Sequence, residues 1–426
     1  MISAVQCAGK SEFYSEKNTR FLLSSFMGNA LDHYDTALYG LLAPIIAPLI
    51  FQDTDPVSRL ILTYGLMSTA FITRPLGSWL FGKIAYTYDA RKIFAFTLLG
   101  IAFTTVGMGL LPSHSMVGSL APILLASLRL LQGFFAAGES TIAPLLVLQH
   151  TDPKRFGFSG SVYQSSIVLG ILLASALSSV IYSLPDYEHL WRLPFLLGSL
   201  TAIVGWFIRF HFCTFDKAEI FNKEGTSFSV WSWIKKDKMK FIRIILASSF
   251  TYMTYSVPFV FFNVFVPLVS SVSSSEMLAI NTGLLALDMV LVPIFGLFAD
   301  RYKASHVMFT SALLLASLLI PFFIYLPSAS LLGVSLIRIS IVILGLIFLA
   351  PLQGWFYQQY GGDEKYALIG LGYAIGSELF GRSLPAVCLW IWKSSGWVAA
   401  PAIYLSLLSL LTTLVLLPSL RRNEKS

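Results

Sequence analysis

The sequence predicts an all-α integral membrane protein with twelve transmembrane helices in two pseudo-symmetric six-helix halves. Composition is the first reason: of 426 residues, 56% are hydrophobic and 12% charged, and the mean hydropathy is +0.73. Soluble chains of this length rarely show that balance. The second reason is the length of the apolar runs, which recur along nearly the whole chain and match the roughly 20 helical residues needed to cross a hydrocarbon core of about 30 Å. Only helices and closed barrels satisfy the backbone there, and these runs are too long for barrel strands. The third reason is a segment that occurs in both halves.

In order, the first half holds spans at 21–50, 60–83, 92–111, 120–148, 157–184 and 191–212. The second holds spans at 241–271, 277–299, 306–326, 336–360, 366–392 and 396–418. The halves are therefore 1–212 and 241–426. Between them, 213–240 is the longest polar stretch; it carries Lys217, Lys223, Lys235, Lys236, Lys238 and Lys240 and reads as a cytoplasmic linker.

Cations set the expected orientation, because cytoplasmic loops keep an excess of Lys and Arg. With both termini inside, the tails and inner loops hold Lys10, Lys17, Arg20, Lys83, Arg91, Lys92, Lys154, Arg155, Arg301, Lys303, Lys365, Arg421, Arg422 and Lys425. The outer loops offer little beyond Arg59, Arg192 and Lys393. The net charge of +7 is thus a topology signal and not a nucleic-acid footprint. No cleavable signal is expected, since the first apolar run is too long for a signal core. Cys7, Cys213 and Cys388 are scattered and support neither a disulfide framework nor a metal site.

The repeat lies where the second and eighth spans reach the cytoplasm. PLGSWLFGKIAYTYDARK begins at Pro75 and PIFGLFADRYKAS at Pro293; aligning Gly82 with Gly296 brings Tyr86 over Asp300 and Thr87 over Arg301. Duplicated six-helix halves around a central site are a common transporter plan.

Several segments in chain order carry a resemblance to a family. The first span has GNALDHYDTALYG from Gly28, the second FITRPLGSWLFG from Phe71, and the fourth RLLQGFFAAGES from Arg129. WRLPFLLG begins at Trp191 and LGYAIGSELFGRSLP at Leu371. Together they resemble the metabolite:proton symporters of the major facilitator superfamily, which include permeases for proline and betaine, α-ketoglutarate, shikimate and citrate. The resemblance implies the major facilitator fold and import of a small polar metabolite, an organic acid or a zwitterion, by proton symport through alternating access. It further implies a bacterial cytoplasmic (inner) membrane location with both termini cytoplasmic. Asp32 and His33 depart from the family's Glu-Trp pair, Tyr86 and Asp89 from its cytoplasmic motif, and Arg382 from a usually small residue. The fifth span lacks the Gly-Pro motif of drug:proton antiporters.

Independently of family, ionisable groups inside apolar spans cost roughly 2.5 to 3.5 kcal/mol each at the membrane centre and so must face partners, protein or a wet cavity. Asp32, His33, Asp35, Arg74, Arg129, Glu139, Glu378 and Arg382 form the expected substrate and proton pathway. Gly28, Asp32, Asp35 and Tyr39 share one helix face, expected to line the path, with interhelical ion pairing as the alternative; His33 points elsewhere. Asp35 and Glu139, then Asp32, are the expected proton carriers, because burial biases an acid toward taking up a proton. Arg129, fixed in charge, would hold a carboxylate of the substrate or of the carrier. Arg74 is expected to bind in the pathway or to snorkel to the cytoplasmic interface. Glu378 and Arg382, four residues apart, either pair with each other or meet substrate. The expected cytoplasmic gate is Gly82, Arg91, Lys92, Gly296, Asp300 and Arg301, whereas Asp288 and Arg338 receive no role.

Other classes fit less well. An embedded enzyme needs a clustered nucleophile, base or metal site, and the six histidines are dispersed with no His-x-x-x-His or Cys-x-x-Cys pattern. The expectation is therefore no enzyme activity, no cofactor and no metal, with a small solute, H⁺ and the lipid bilayer as partners. A channel fits the two-fold repeat and mid-membrane charges less well than alternating access. An exchanger, a Na⁺-coupled carrier and a transport-dead receptor stay open.

Overall fold

The computed structural model describes residues 26–422 except 28, 32, 53–54, 68–71, 75, 78–79, 81–89, 141–155, 186–189, 199–233 and 360–363. Helical residues occur within every predicted span, and no strand occurs among the described residues. Among the described residues, seven helices are long and apolar enough to cross a membrane. In the first series are α1 (26–50), α2 (Pro56–Met67, with further helical residues up to 80), α3 (Ala90–Gly109), α4 (Leu120–Ser140), α5 (Phe156–Ser183) and α6 (192–198). In the second are α7 (Lys238–Val269), α8 (Ser274–Ala299), α9 (Ala304–Tyr325), α10 (Leu331–Gln359), α11 (364–395) and α12 (Ala400–Arg422).

Local chemistry sets several ends. Ser273 and Glu276 form a reciprocal capping box at the start of α8, and Ser330 accepts from the Gly333 amide at 3.3 Å to start α10. Such caps contribute about 1 kcal/mol each. α10 consequently begins before the expected residue 336 and places Arg338 well inside the span. Asp237 accepts from the Lys240 amide at 3.1 Å, so α7 starts within the stretch expected as linker; residues 213–233 of that linker lie outside the described residues. At the other end of α11, Gly396 has φ 66°, a left-handed conformation that glycine adopts without a Cβ clash.

Two helices are interrupted where continuous ones were expected. α7 passes through a π turn at Val257–Phe261, which contains Pro258. α11 does so at Gly376–Arg382. A π turn widens the helix and re-aims the side chains around it, and such turns are frequent at functional sites.

The most extensive packing is α5 along α8; α9 lies against α12, α3 against α4, and α7 against both α12 and the π turn of α11. α2 packs against the Leu384–Ser395 part of α11. The first series therefore meets the second along two seams, α5–α8 and α2–α11. Small residues allow close approach: a Cβ at Gly296 would meet Ser161 and the Gly157 carbonyl. Phe261, Phe265 and Phe323 stack in the core of the second series, with Trp392 edge-on to Phe265. Phe103, Val290, Leu332 and Leu414 face outward, as a lipid-facing surface requires.

Gly170 sits where α5 crosses α1, and an added Cβ would overlap the Ala30 carbonyl. Because backbone must then move, Gly170→Val should sharply lower the yield and melting temperature of detergent-purified protein. Gly65, which has open space around it, should accept alanine with little change.

Candidate functional site

A cavity of about 130 Å³ lies between the two series, walled by α1, α5, α7, α8, α10 and α11. Its walls are mainly apolar, with Ile167, Phe259, Val342 and Leu346 prominent. The polar groups are few: His33, Gln164, Tyr252, Tyr255, Asp288, Tyr373 and Arg382 stand out. Tyr252, Tyr255 and Phe259 recur at helical spacing on one face of α7. The Tyr252 and Tyr373 rings meet edge to face at 5.7 Å, and Tyr255 lies 4.9 Å from Phe259.

Beside the cavity stands a charged cluster. Glu378, 1% exposed, takes Arg74 Nη1 at 3.0 Å and Arg382 Nε at 3.1 Å on one carboxylate oxygen. Arg74 does not snorkel to an interface; it is 8% exposed and crosses from the first series to the second. Glu378 and Arg382 pair along the helix as their spacing allowed, but within the π turn, where Gly376 and Gly381 let α11 lie close to α7. Arg74, Arg129 and Arg382 line one small void together with Thr36 and Gln132. Arg129 is buried, donates to Gln132 Oε1 at 2.5 Å, and lies 3.8 Å over the Tyr39 ring. A desolvated contact of that kind contributes about 2 kcal/mol. The Tyr39 hydroxyl donates to the Thr63 carbonyl at 2.8 Å.

The structure differs from the expected facing of α1. His33, Thr36, Ala37, Gly40 and Leu41 line the cavity, whereas Asp35 is 2% exposed and lies beside Gly198 of α6, and Tyr39 packs under Arg129. Asp35 and Tyr39, the described members of the expected α1 stripe, turn into the first series; Gly28 lies outside the described residues. Asp32 and Gly82 lie outside the described residues, as do the side chains of Glu139, Arg91 and Lys92. Sequence reasoning missed the α7 aromatics, whose spacing was visible, and gave no role to Asp288, which lines the cavity.

Polar contacts close the seams near both ends of the cavity. At one end Asp300 accepts from the Gly157 amide at 2.7 Å and the Phe158 amide at 3.1 Å. An acid from α8 thus caps the N-terminus of α5, where unpaired amides and the helix dipole favour negative charge. Gly296 lies in the same crossing, and Arg301 is exposed beside it. Toward the other end Arg338, fully buried, donates to the Met277 carbonyl at 3.2 Å and to Asn281. Asn281 in turn donates to Ser175 of α5 at 3.1 Å, and Ser175 shares a 2.9 Å hydrogen bond with Thr282. On the α2–α11 seam Lys393 binds Asp55 and Ser58.

A family described as "Sugar (and other) transporter" matches residues 21–214. A protein of Staphylococcus aureus strain MSSA476, provisionally named a proline/betaine transporter, is 27% identical over 94% of this chain and 88% of its own length. The proline/betaine transporter of Salmonella typhimurium is 25% identical over 93% of this chain and 82% of its own. The crystal structure of a D-xylose-proton symporter superposes with a TM-score of 0.69, covering 93% of this chain and 97% of that one at 14% identity. The chain is thus similar over residues 21–214 to that transporter family and shares the fold of a D-xylose-proton symporter. These relatives are named as transporters, and the central cavity between the helix series is the candidate site.

Lys393 first, then Ser58, hold the Asp55 carboxyl well below the usual aspartate range. A depressed value keeps the contact in force above the ordinary aspartate range near ~3.9, and the contact is lost only as pH falls through the lower folded value. A cysteine replacing the buried Leu60 of α2, in a background lacking other cysteines, should therefore react with an impermeant maleimide equally slowly from pH 5 to 8 once each rate is divided by that of a free thiol at the same pH. Asp55→Asn should raise that reactivity several-fold at every pH, and no rise would show that the pair does not hold the seam. Asp300→Asn should likewise expose a cysteine at Ser161, from the side of the α5 N-terminus. Unchanged labelling with full transport would remove Asp300 as a latch.

Proposed function

We propose that the protein imports a compact zwitterion of the proline or betaine type by proton symport, the two helix series rocking alternately about the cavity. The Arg74–Glu378–Arg382 cluster carries this reading. Glu378 binds one arginine across the seam and another on the cavity wall, so proton, substrate and domain contact converge on one carboxylate. When Glu378 is neutral, Arg382 is released to a substrate carboxylate and the grip on Arg74 weakens. When it is charged, the pairs re-form and the substrate carboxylate is displaced.

Coupling requires that Glu378 hold its proton with different affinity in the two facing states, each unit of difference being about 1.36 kcal/mol. Asp35, Asp32 and Glu139 are the other acids this scheme allows as proton carrier. Asp35 lies within the first series and does not bridge the moving parts, which favours Glu378. The volume of the cavity favours a small solute, since pockets for drug-sized ligands run to roughly 300–1,000 Å³. The names of the S. aureus and S. typhimurium relatives support a proline or betaine cargo, and the fold shared with a D-xylose-proton symporter is compatible with proton coupling. The orientation read from the cations places both termini in the cytoplasm of a bacterial cell, with Asp300 at the cytoplasmic gate.

Proteoliposomes test the scheme. An inward proton gradient should drive accumulation of radiolabelled betaine or proline, and an uncoupler should abolish it. Glu378→Gln should lose driven accumulation yet keep exchange at equal pH on the two sides. Arg382→Ala should lose both while the protein remains monodisperse. Accumulation that ignores the uncoupler and follows Na⁺ or a counter-substrate would overturn proton symport, and binding without exchange would mark a receptor.

A further inference from the structure

Asp288 is an acid that the charged cluster does not use. It stands in the middle of α8, is 5% exposed, and lines the cavity. Among the described residues it has no hydrogen-bond or ion-pair partner. The Tyr255 side chain of α7 lines the same cavity, and its hydroxyl is buried without a hydrogen-bond partner. Each of these groups would cost several kcal/mol if it stayed desolvated and unsatisfied. Aromatic rings line the same cavity: Phe259 beside Tyr255, and the Tyr252–Tyr373 pair.

We infer that Asp288 and Tyr255 form the subsite that recognises the positively charged group of the transported solute, with Arg382 on the same cavity wall taking its carboxylate. This rests on the zwitterion reading of the cavity and assigns the half of the site that the arginine cluster leaves open. An ammonium supplies the counter-charge that an isolated carboxylate in an apolar cavity lacks. The neighbouring ring faces attract a cation through their quadrupoles, most strongly where water is excluded. A quaternary or secondary ammonium donates few hydrogen bonds or none, so a site built of one carboxylate and several rings suits it better than a cage of acceptors. A dicarboxylate would set its second charge against Asp288, which is how the subsite discriminates.

Binding to purified protein in nanodiscs, followed by isothermal titration calorimetry, tests this with three probes. Betaine and 3,3-dimethylbutanoate have nearly the same shape, and a quaternary carbon replaces the ammonium nitrogen in the second. Tetramethylammonium carries the cation alone. The wild-type protein should bind betaine at least tenfold more tightly than 3,3-dimethylbutanoate, a difference of about 1.4 kcal/mol. Asp288→Asn should erase that preference and tetramethylammonium binding together, Asp288→Glu should restore part of both, and Tyr255→Phe should weaken both less. Equal binding of betaine and its analogue without the ammonium to the wild type would overturn the subsite and leave the carboxylate contact standing, whatever the folding of the variants. Tetramethylammonium binding that depends on Asp288, without betaine binding, would uphold the subsite and overturn the zwitterion cargo. Binding of none of the three would overturn both.

Discussion

Glu378 is a carboxylate taken almost wholly out of water, and its burial governs much of the surrounding structure. Desolvating an ion costs several kcal/mol, and removing one partner of a buried pair costs roughly 3–5 kcal/mol. The charge therefore holds two arginines to it. Arg74 comes from the other helix series, so the pair ties the α2–α11 seam at the depth of the cavity. Arg382 comes from one turn along the same helix, so its guanidinium is carried to the cavity wall. Both Glu378 and Arg382 lie in the π turn, where Gly376 and Gly381 sit against α7.

The seams that flank this cluster are joined by small residues and a few polar contacts among the described residues. Small residues bring α5 and α8 together closely, but few polar bonds join them, and these lie away from the centre: Asp300 on the α5 amides, and the Arg338–Asn281–Ser175 chain. Each such bond is worth only about 0.5–3 kcal/mol net, the larger values for charged groups. Breaking one end while keeping the other is then a small step in free energy. The core of the second series is different, being rich in aromatic side chains, as the Phe261, Phe265 and Phe323 stack shows.

Much of the site was legible from residue type and spacing alone. Charged side chains in apolar spans are expensive, so Arg74, Arg129, Glu378 and Arg382 were marked before any fold was known, and the structure gathers the three arginines around one void. The facing of α1 was not legible. Helical periodicity shows that Asp35 and Tyr39 share a side, but it is silent on which neighbours that side meets, and these are α6 for Asp35 and Arg129 of α4 for Tyr39 rather than the cavity. Arg74 escaped the snorkelling expectation because an acid on a helix some 300 residues away lies within reach, and that cannot be read from local context. The α7 aromatics were passed over because Tyr and Phe at helical spacing are the ordinary make-up of a membrane core.

From the sequence alone came the solvent of the protein, the class of element and the approximate place of every span, since each follows from apolar run length and from where Lys and Arg fall. Those are properties of one segment against bilayer and water. Which charges meet was decided only in three dimensions: Glu378 with Arg74, Asp300 with the α5 amides, and Asp288, among the described residues, with a cavity that Tyr255 also lines. Electrostatic contacts act over a few ångströms of space, and residues from opposite ends of a chain reach that range only once the helices have packed.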